Sequence, residues 1–122
     1  MFDGRAPTVG LDLCEIARME PLLENQHFLE RCFLPEELDY VRSKGKTAAQ
    51  TLAGLFAAKE ACCKALGTGI AFPLTDIRID HTPEGMPFYR LTGQPERLLE
   101  GRSITLSITH EAGMAAAVCL IL

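Results

Sequence analysis

The chain has 122 residues, 48% of them apolar, and a formal net charge of −4. That length suits a single domain, residues 1–122, with an ordinary core, and an acidic balance without a long basic run argues against a nucleic-acid binder that neutralises phosphates. No apolar run is long enough to span a bilayer and Met1–Arg5 lacks the regions of a signal peptide, so no membrane association and a cytoplasmic location are expected.

Val9-Gly-Leu-Asp-Leu13 alternates as a short strand, with Val9, Leu11 and Leu13 on one face and Gly10, Asp12 and Cys14 on the other. Asp12 is thus expected to point away from the apolar side. From Arg18 to Ser43 the pattern is helical but broken, with Pro21 and Pro35 placed to open helical turns, which predicts two or three short helices. Thr47-x-x-Gln50 has the form of a capping box and Gly67 and Gly69 can stop a helix, so the longest element is predicted over 47–66.

That helix carries the most chemistry. Leu52, Leu55, Phe56, Cys62, Cys63 and Leu66 form one stripe with Lys59 in its middle, while Gly54, Ala57, Ala58, Ala61 and Ala65 cover the opposite side. A helix apolar on nearly all sides is buried, and its charges must be paired, bound to an ion or neutralised. Lys59 can also snorkel outward, and Glu60 and Lys64 at i,i+4 can be an ordinary ion pair.

Beyond the helix, Ile77–Asp80 and Phe88–Leu91 read as a hairpin around Pro83-Glu-Gly-Met86, and Pro95–Leu99 as a short helix. Ser103–Thr109 alternates strictly, isoleucines and leucine on one face and a hydroxyl row on the other. His110-Glu-Ala-Gly113 is expected to turn the chain into Met114–Leu122, a strand apolar enough to be buried on both faces. The five cysteines form no C-x-x-C pair, which disfavours a disulfide framework and a zinc site. His27 and His81 have no motif around them and read as structural or exposed.

Asp12 and Glu60 are the carboxylates expected to meet, and magnesium suits such a pair because it takes one or two carboxylates with phosphates and water. Lys59 and Lys64 would then neutralise phosphate oxygens, and the Gly67-Thr-Gly-Ile70 turn would let backbone approach a ligand closely.

Three segments also carry a family likeness. Val9-Gly-Leu-Asp-Leu-Cys-Glu-Ile-Ala-Arg18, Phe56-Ala-Ala-Lys-Glu-Ala-Cys-Cys-Lys64 with Ala65-Leu-Gly-Thr-Gly-Ile70, and Leu106-Ser-Ile-Thr-His-Glu111 resemble, in order and spacing, the signature regions of the holo-acyl-carrier-protein synthases. These are the short bacterial-type 4′-phosphopantetheinyl transferases, and Gly85-Met-Pro87 resembles a further turn of theirs. The resemblance implies an α+β fold, a mainly antiparallel sheet packed on one long central helix with several short helices. It implies transfer of the 4′-phosphopantetheine arm of coenzyme A to a serine of an apo acyl carrier protein, releasing adenosine 3′,5′-bisphosphate.

By the same resemblance Asp12 and Glu60 hold magnesium against the pyrophosphate, and Glu60 and Lys64 serve catalysis. Lys59, Lys64, Gly67, Gly69, Ser107, Thr109 and His110 contact coenzyme A, and Arg18 faces the carrier protein. Either Glu60 or water takes the serine proton. Family members form homotrimers with the nucleotide cleft between subunits, so His110 is expected to serve a site whose metal belongs to the next chain. The alternative is a trimeric module that binds coenzyme A or another nucleotide without turnover, or one that keeps the fold and binds neither. Carrier and pathway, fatty acid, polyketide or peptide, stay open.

Two departures stand out. Many relatives carry arginine where this chain has Leu55, which removes one phosphate contact. Glu20, Glu24 and Glu30 occupy a segment that is commonly basic, which predicts a less acidic carrier or docking through Met19, Leu22 and Phe28.

Overall fold

The computed structural model describes residues 6–122, so the Met1–Arg5 stretch lies outside the described residues. Along the chain come β1 (Thr8–Glu15), α1 (Ile16–Met19), α2 (Gln26–Cys32), α3 (Pro35–Arg42), α4 (Ala48–Ala65), β2 (Ile77–His81), β3 (Pro87–Leu91), α5 (Gly93–Leu99), β4 (Ile104–Glu111) and β5 (Met114–Ile121). Strands β1, β5 and β4, in that order, make an antiparallel sheet, and β2 and β3 pair as a separate hairpin. The expected α+β arrangement, antiparallel strands on one long helix, is what forms.

The small residues of α4 decide how closely it lies on the sheet. A Cβ on Gly10 of β1 would sit 1.9 Å from the Ala61 carbonyl oxygen and 2.7 Å from the Ala65 nitrogen, and one on Gly54 would sit 2.9 Å from an Ile108 methyl. Backbone therefore meets backbone where β1 crosses the second half of α4, and any side chain at position 10 would force the layers apart. The helix also packs against α1, α3 and β2, and Phe33, Leu38, Val41, Ile77 and Tyr89 complete the core.

The helix ends differ from expectation at one side only. The capping box does not form: Thr47 is the N-cap but its hydroxyl donates to the Lys44 carbonyl, because a 3₁₀ turn over Gly45–Thr47 leads into the helix. The Gln50 amide is used elsewhere, at 3.1 Å from His110 Nε2. At the other end Gly67 takes φ +78°, its N–H bonds Lys64 O at 3.0 Å and the Thr68 N–H bonds Cys63 O at 3.2 Å. This is a Schellman stop, in which a glycine in the left-handed region closes two terminal carbonyls.

The residues of β1 divide between its two faces as expected, with Asp12 away from the apolar row, and the burial expected for β5 is corrected. Val9, Leu11 and Leu13 lie on the outer face of the sheet, 62%, 61% and 62% exposed, while Gly10, Asp12 and Cys14 face α4. Strand β5 is likewise buried on one face only: Ala115, Ala117, Cys119 and Ile121 point inward, and Val118 is exposed. Register sets Leu11 opposite Val118 and Val118 opposite Ser107, so one outer surface carries both the apolar row and the hydroxyl row. The β4–β5 turn is tighter than expected, just Ala112 and Gly113 at φ +52° and +78°, which leaves His110 and Glu111 in the strand.

Candidate active site

The close crossing of β1 over α4 brings Asp12 to Glu60 and Lys64. Asp12 lies two residues beyond Gly10 on the same face, and Glu60 and Lys64 flank Ala61 on the helix. The Lys64 ammonium donates to Asp12 Oδ1 at 2.9 Å and to the Leu11 carbonyl at 2.9 Å, with the lysine side chain 53% exposed. The helical pair with Glu60 is therefore not made, and Lys64 clamps the strand instead.

That choice leaves Glu60 with no hydrogen bond or ion pair among the described residues. Burial pushes the Glu60 carboxyl above its ordinary pKa, the Asp12 charge pushes it the same way, and Lys64 and Arg18 pull it back. Two carboxylates that repel each other across a half-buried gap, one of them without a donor, make a place that a cation would stabilise. Among the described residues no third histidine, cysteine or acidic side chain joins them. Two hard oxygen ligands with the remaining positions left to phosphate and water fit magnesium and do not fit zinc, which takes three or four protein ligands.

Arg18, on α1, is exposed and close enough for its charge to lower the pKa of both Glu60 and Cys14. Of the apolar residues expected to dock a carrier, Leu22 and Phe28 are half-buried, but Met19 is 1% exposed and serves the core. Gly67 and Gly69 follow Lys64 with φ of +78° and +62°, and the space beside both is open.

Lys59 is a correction. It is 0% exposed, and its ammonium donates to Glu37 Oε1 at 2.8 Å and to the Leu74 carbonyl at 3.0 Å while lying 5.0 Å from the centre of the Phe33 ring. Burial lowers its pKa, and the Glu37 charge opposes that. A lysine closed in on all sides has no route to a ligand phosphate, so the charge in the apolar stripe is answered by an internal ion pair. Its partner Glu37 sits in the first turn of α3 after Leu34-Pro35.

The late strand divides its residues between two faces. Ser107 and Thr109 point to the outer sheet surface opposite Val118 and Ala116, whereas His110, opposite Ala115, faces α4. His110 meets Gln50 near the start of α4, ten residues before Glu60 and so about 15 Å from it along the axis. There it lines a cleft of about 240 Å³ with Tyr40, Gln50, Thr51, Gly54, Leu55, His81, Gly85, Pro87 and Ile108. His81 stacks on Tyr40 with centroids 3.8 Å apart and 14° between planes, and the Lys44 ammonium lies 4.6 Å from the centre of the Tyr40 ring. Sequence reasoning missed Tyr40, Gln50 and His81, which only the third dimension gathers.

Residues 8–119 match the 4′-phosphopantetheinyl transferase superfamily. A holo-[acyl-carrier-protein] synthase of Treponema denticola is 48% identical over 117 residues, 93% of this chain and 95% of that protein. The Helicobacter pylori holo-[acyl-carrier-protein] synthase in complex with coenzyme A superposes with a TM-score of 0.81 at 36% identity, covering 93% of this chain and 99% of that one. The Neisseria meningitidis holo-[acyl-carrier-protein] synthase gives 0.82 at 33% identity over 94% and 97%.

Proposed function

The chain belongs to the 4′-phosphopantetheinyl transferase superfamily and transfers the phosphopantetheine arm of coenzyme A to an acyl carrier protein, and we propose that Asp12, Glu60 and Lys64 form the transfer centre with a magnesium ion. The single observation that carries this assignment is the unpartnered Glu60 carboxylate facing Asp12. Magnesium bound there would neutralise charge on the pyrophosphate as the bond to the leaving adenosine 3′,5′-bisphosphate breaks. Lys64, already held by Asp12 and Leu11 O, presents its exposed ammonium to the same phosphates. Glu60, with its raised pKa, is also suited to take the proton of the carrier serine, as is water. Arg18 sits where an incoming carrier would meet the centre. The protein, incubated with coenzyme A, magnesium and several apo carrier proteins, is expected to add the mass of the arm to a carrier. No mass gain on any of them would sink the proposal.

A homotrimer belongs to the same proposal. His110, beside Gln50, and the carboxylate pair, at Glu60, lie far apart along the length of α4, so the adenosine end of coenzyme A in the His110 cleft and its pyrophosphate at Asp12 and Glu60 call for two different subunits. The exposed Val9, Leu11 and Leu13 row supplies an apolar surface for such contacts, and Ser107 and Thr109 would be covered with it. Family resemblance supplies the number three. Leu11→Asp is expected to shift the mass in light scattering from three chains to one and to abolish transfer, and an unchanged mass would count against this interface. A cytoplasmic location is part of the reading, supported by five free cysteines. No helix among the described residues is long and apolar enough to cross a membrane.

A further inference from the structure

Among the described residues no lysine or arginine lines the cleft at the start of α4, yet the proposed ligand is an anion. Among the described residues, the lining groups able to carry positive charge are two imidazoles, His81 on the hairpin and His110 on β4. Leu55 forms part of the wall and is 2% exposed. We propose that His81, beside His110 in this cleft, receives the 3′-phosphate of coenzyme A as imidazolium. This rests on the function proposed above and adds a regulatory property, binding that is coupled to proton uptake.

The surroundings of His81 support the coupling. Tyr40 and Lys44 face it from α3 and the turn that follows, and Asp80 is its neighbour on β2. Asp80 is already engaged, accepting from Arg78 Nε at 2.6 Å and Arg90 Nε at 2.7 Å. The facing residues of β3 and α4, Pro87, Gln50 and Thr51, carry no charge. Burial lowers the His81 pKa, the Lys44 charge lowers it further and Asp80 opposes both, so the free cleft favours the neutral ring. Around His110 stand Gln50 from α4, Ala115 from β5 and, on its own strand, Glu111, whose carboxylate accepts the Ala112 N–H. A phosphate arriving between the rings offsets the repulsion from Lys44 and makes the charged ring the favoured form. The imidazole pKa is then higher in the complex than in the free protein, so binding is strongest below both values and weakens as pH rises through them.

Coenzyme A affinity, measured by calorimetry, is expected to fall about tenfold further in the wild type than in H81Q/H110Q between about pH 6 and about pH 8. The titration of the ligand's own 3′-phosphate is common to both proteins and cancels in that comparison. Wild-type protein alone gives a second measure, since binding heats in two buffers of different ionisation enthalpy should report net proton uptake. Parallel pH profiles, or no proton uptake, overturn the inference while leaving transfer activity and the proposed function intact. No coenzyme A binding by the wild type at any pH overturns both.

Discussion

Replacing Glu60 with glutamine is expected to lower phosphopantetheine transfer by a factor on the order of 10³ while leaving the fold as stable as before or more so. The loss follows from chemistry. Glutamine keeps the shape but removes the charge that, with Asp12, would hold a divalent cation, and an amide cannot take the serine proton. The gain follows from linkage. Burial and the Asp12 charge raise the Glu60 pKa, so ionised Glu60 is disfavoured in the folded chain relative to the unfolded one. Its contribution is therefore destabilising above the folded pKa and vanishes below the unfolded value. Neutralising it permanently removes that burden, and no hydrogen bond is lost because Glu60 makes none among the described residues. Thermal unfolding at neutral pH, run beside the transfer assay, separates the two effects. A variant that unfolds at lower temperature would show Glu60 to be structural, and one that still transfers at the wild-type rate would remove it from the centre.

Much of this arrangement was legible in the sequence where a local rule operates. The period of α4, its glycine stop and the alternation of β1, β2, β3 and β4 each depend on residues within a few positions of one another. The pairing of Asp12 with Glu60 was legible because both break an apolar pattern. What the pattern could not say is which face of β1 is covered. Alternation defines two faces but does not choose between them, and the more apolar row normally turns inward. Here the helix needs the small residues Gly10 and Cys14 beneath it, so Val9, Leu11 and Leu13 are left for another surface. Strand β5 was misread for the same reason, since a run of alanine, valine and leucine looks alike whether one face is covered within the chain or both are. Lys59 shows a different limit. Its charge was visible, but the carboxylate that answers it lies 22 residues away in α3, and no spacing rule reaches that far. The cleft at His81 combines α3, α4, β2 and β4, and no single segment announces it.

That internal pair carries the second large effect. Glu37→Ala is expected to destabilise the protein by about 3–5 kcal/mol, because it strands a buried ammonium and removes two further acceptor contacts. Glu37 Oε1 accepts from Lys59 at 2.8 Å and from the Leu34 N–H at 2.9 Å, and Oε2 accepts from the Ile79 N–H at 2.9 Å. One carboxylate thus ties together α4, the entry to α3 and strand β2. Against a total stability of about 5–15 kcal/mol for a domain of this kind, that is about a fifth of the whole or more. Lys59→Met is expected to be milder. The carboxylate left behind keeps two backbone donors, and the thioether fills most of the lysine stem. In the Glu37→Ala background the same change should recover stability, because it removes the stranded charge, so the two effects are not additive. Urea unfolding of the four proteins closes that cycle. A Glu37→Ala cost below about 1 kcal/mol, or simple additivity, would show that the pair is not coupled. The contrast with Glu60 is the physical point: Glu37, reaching α4 from α3, is ringed by donors and holds the structure, whereas Glu60, on α4 itself, has none among the described residues and is left for a ligand.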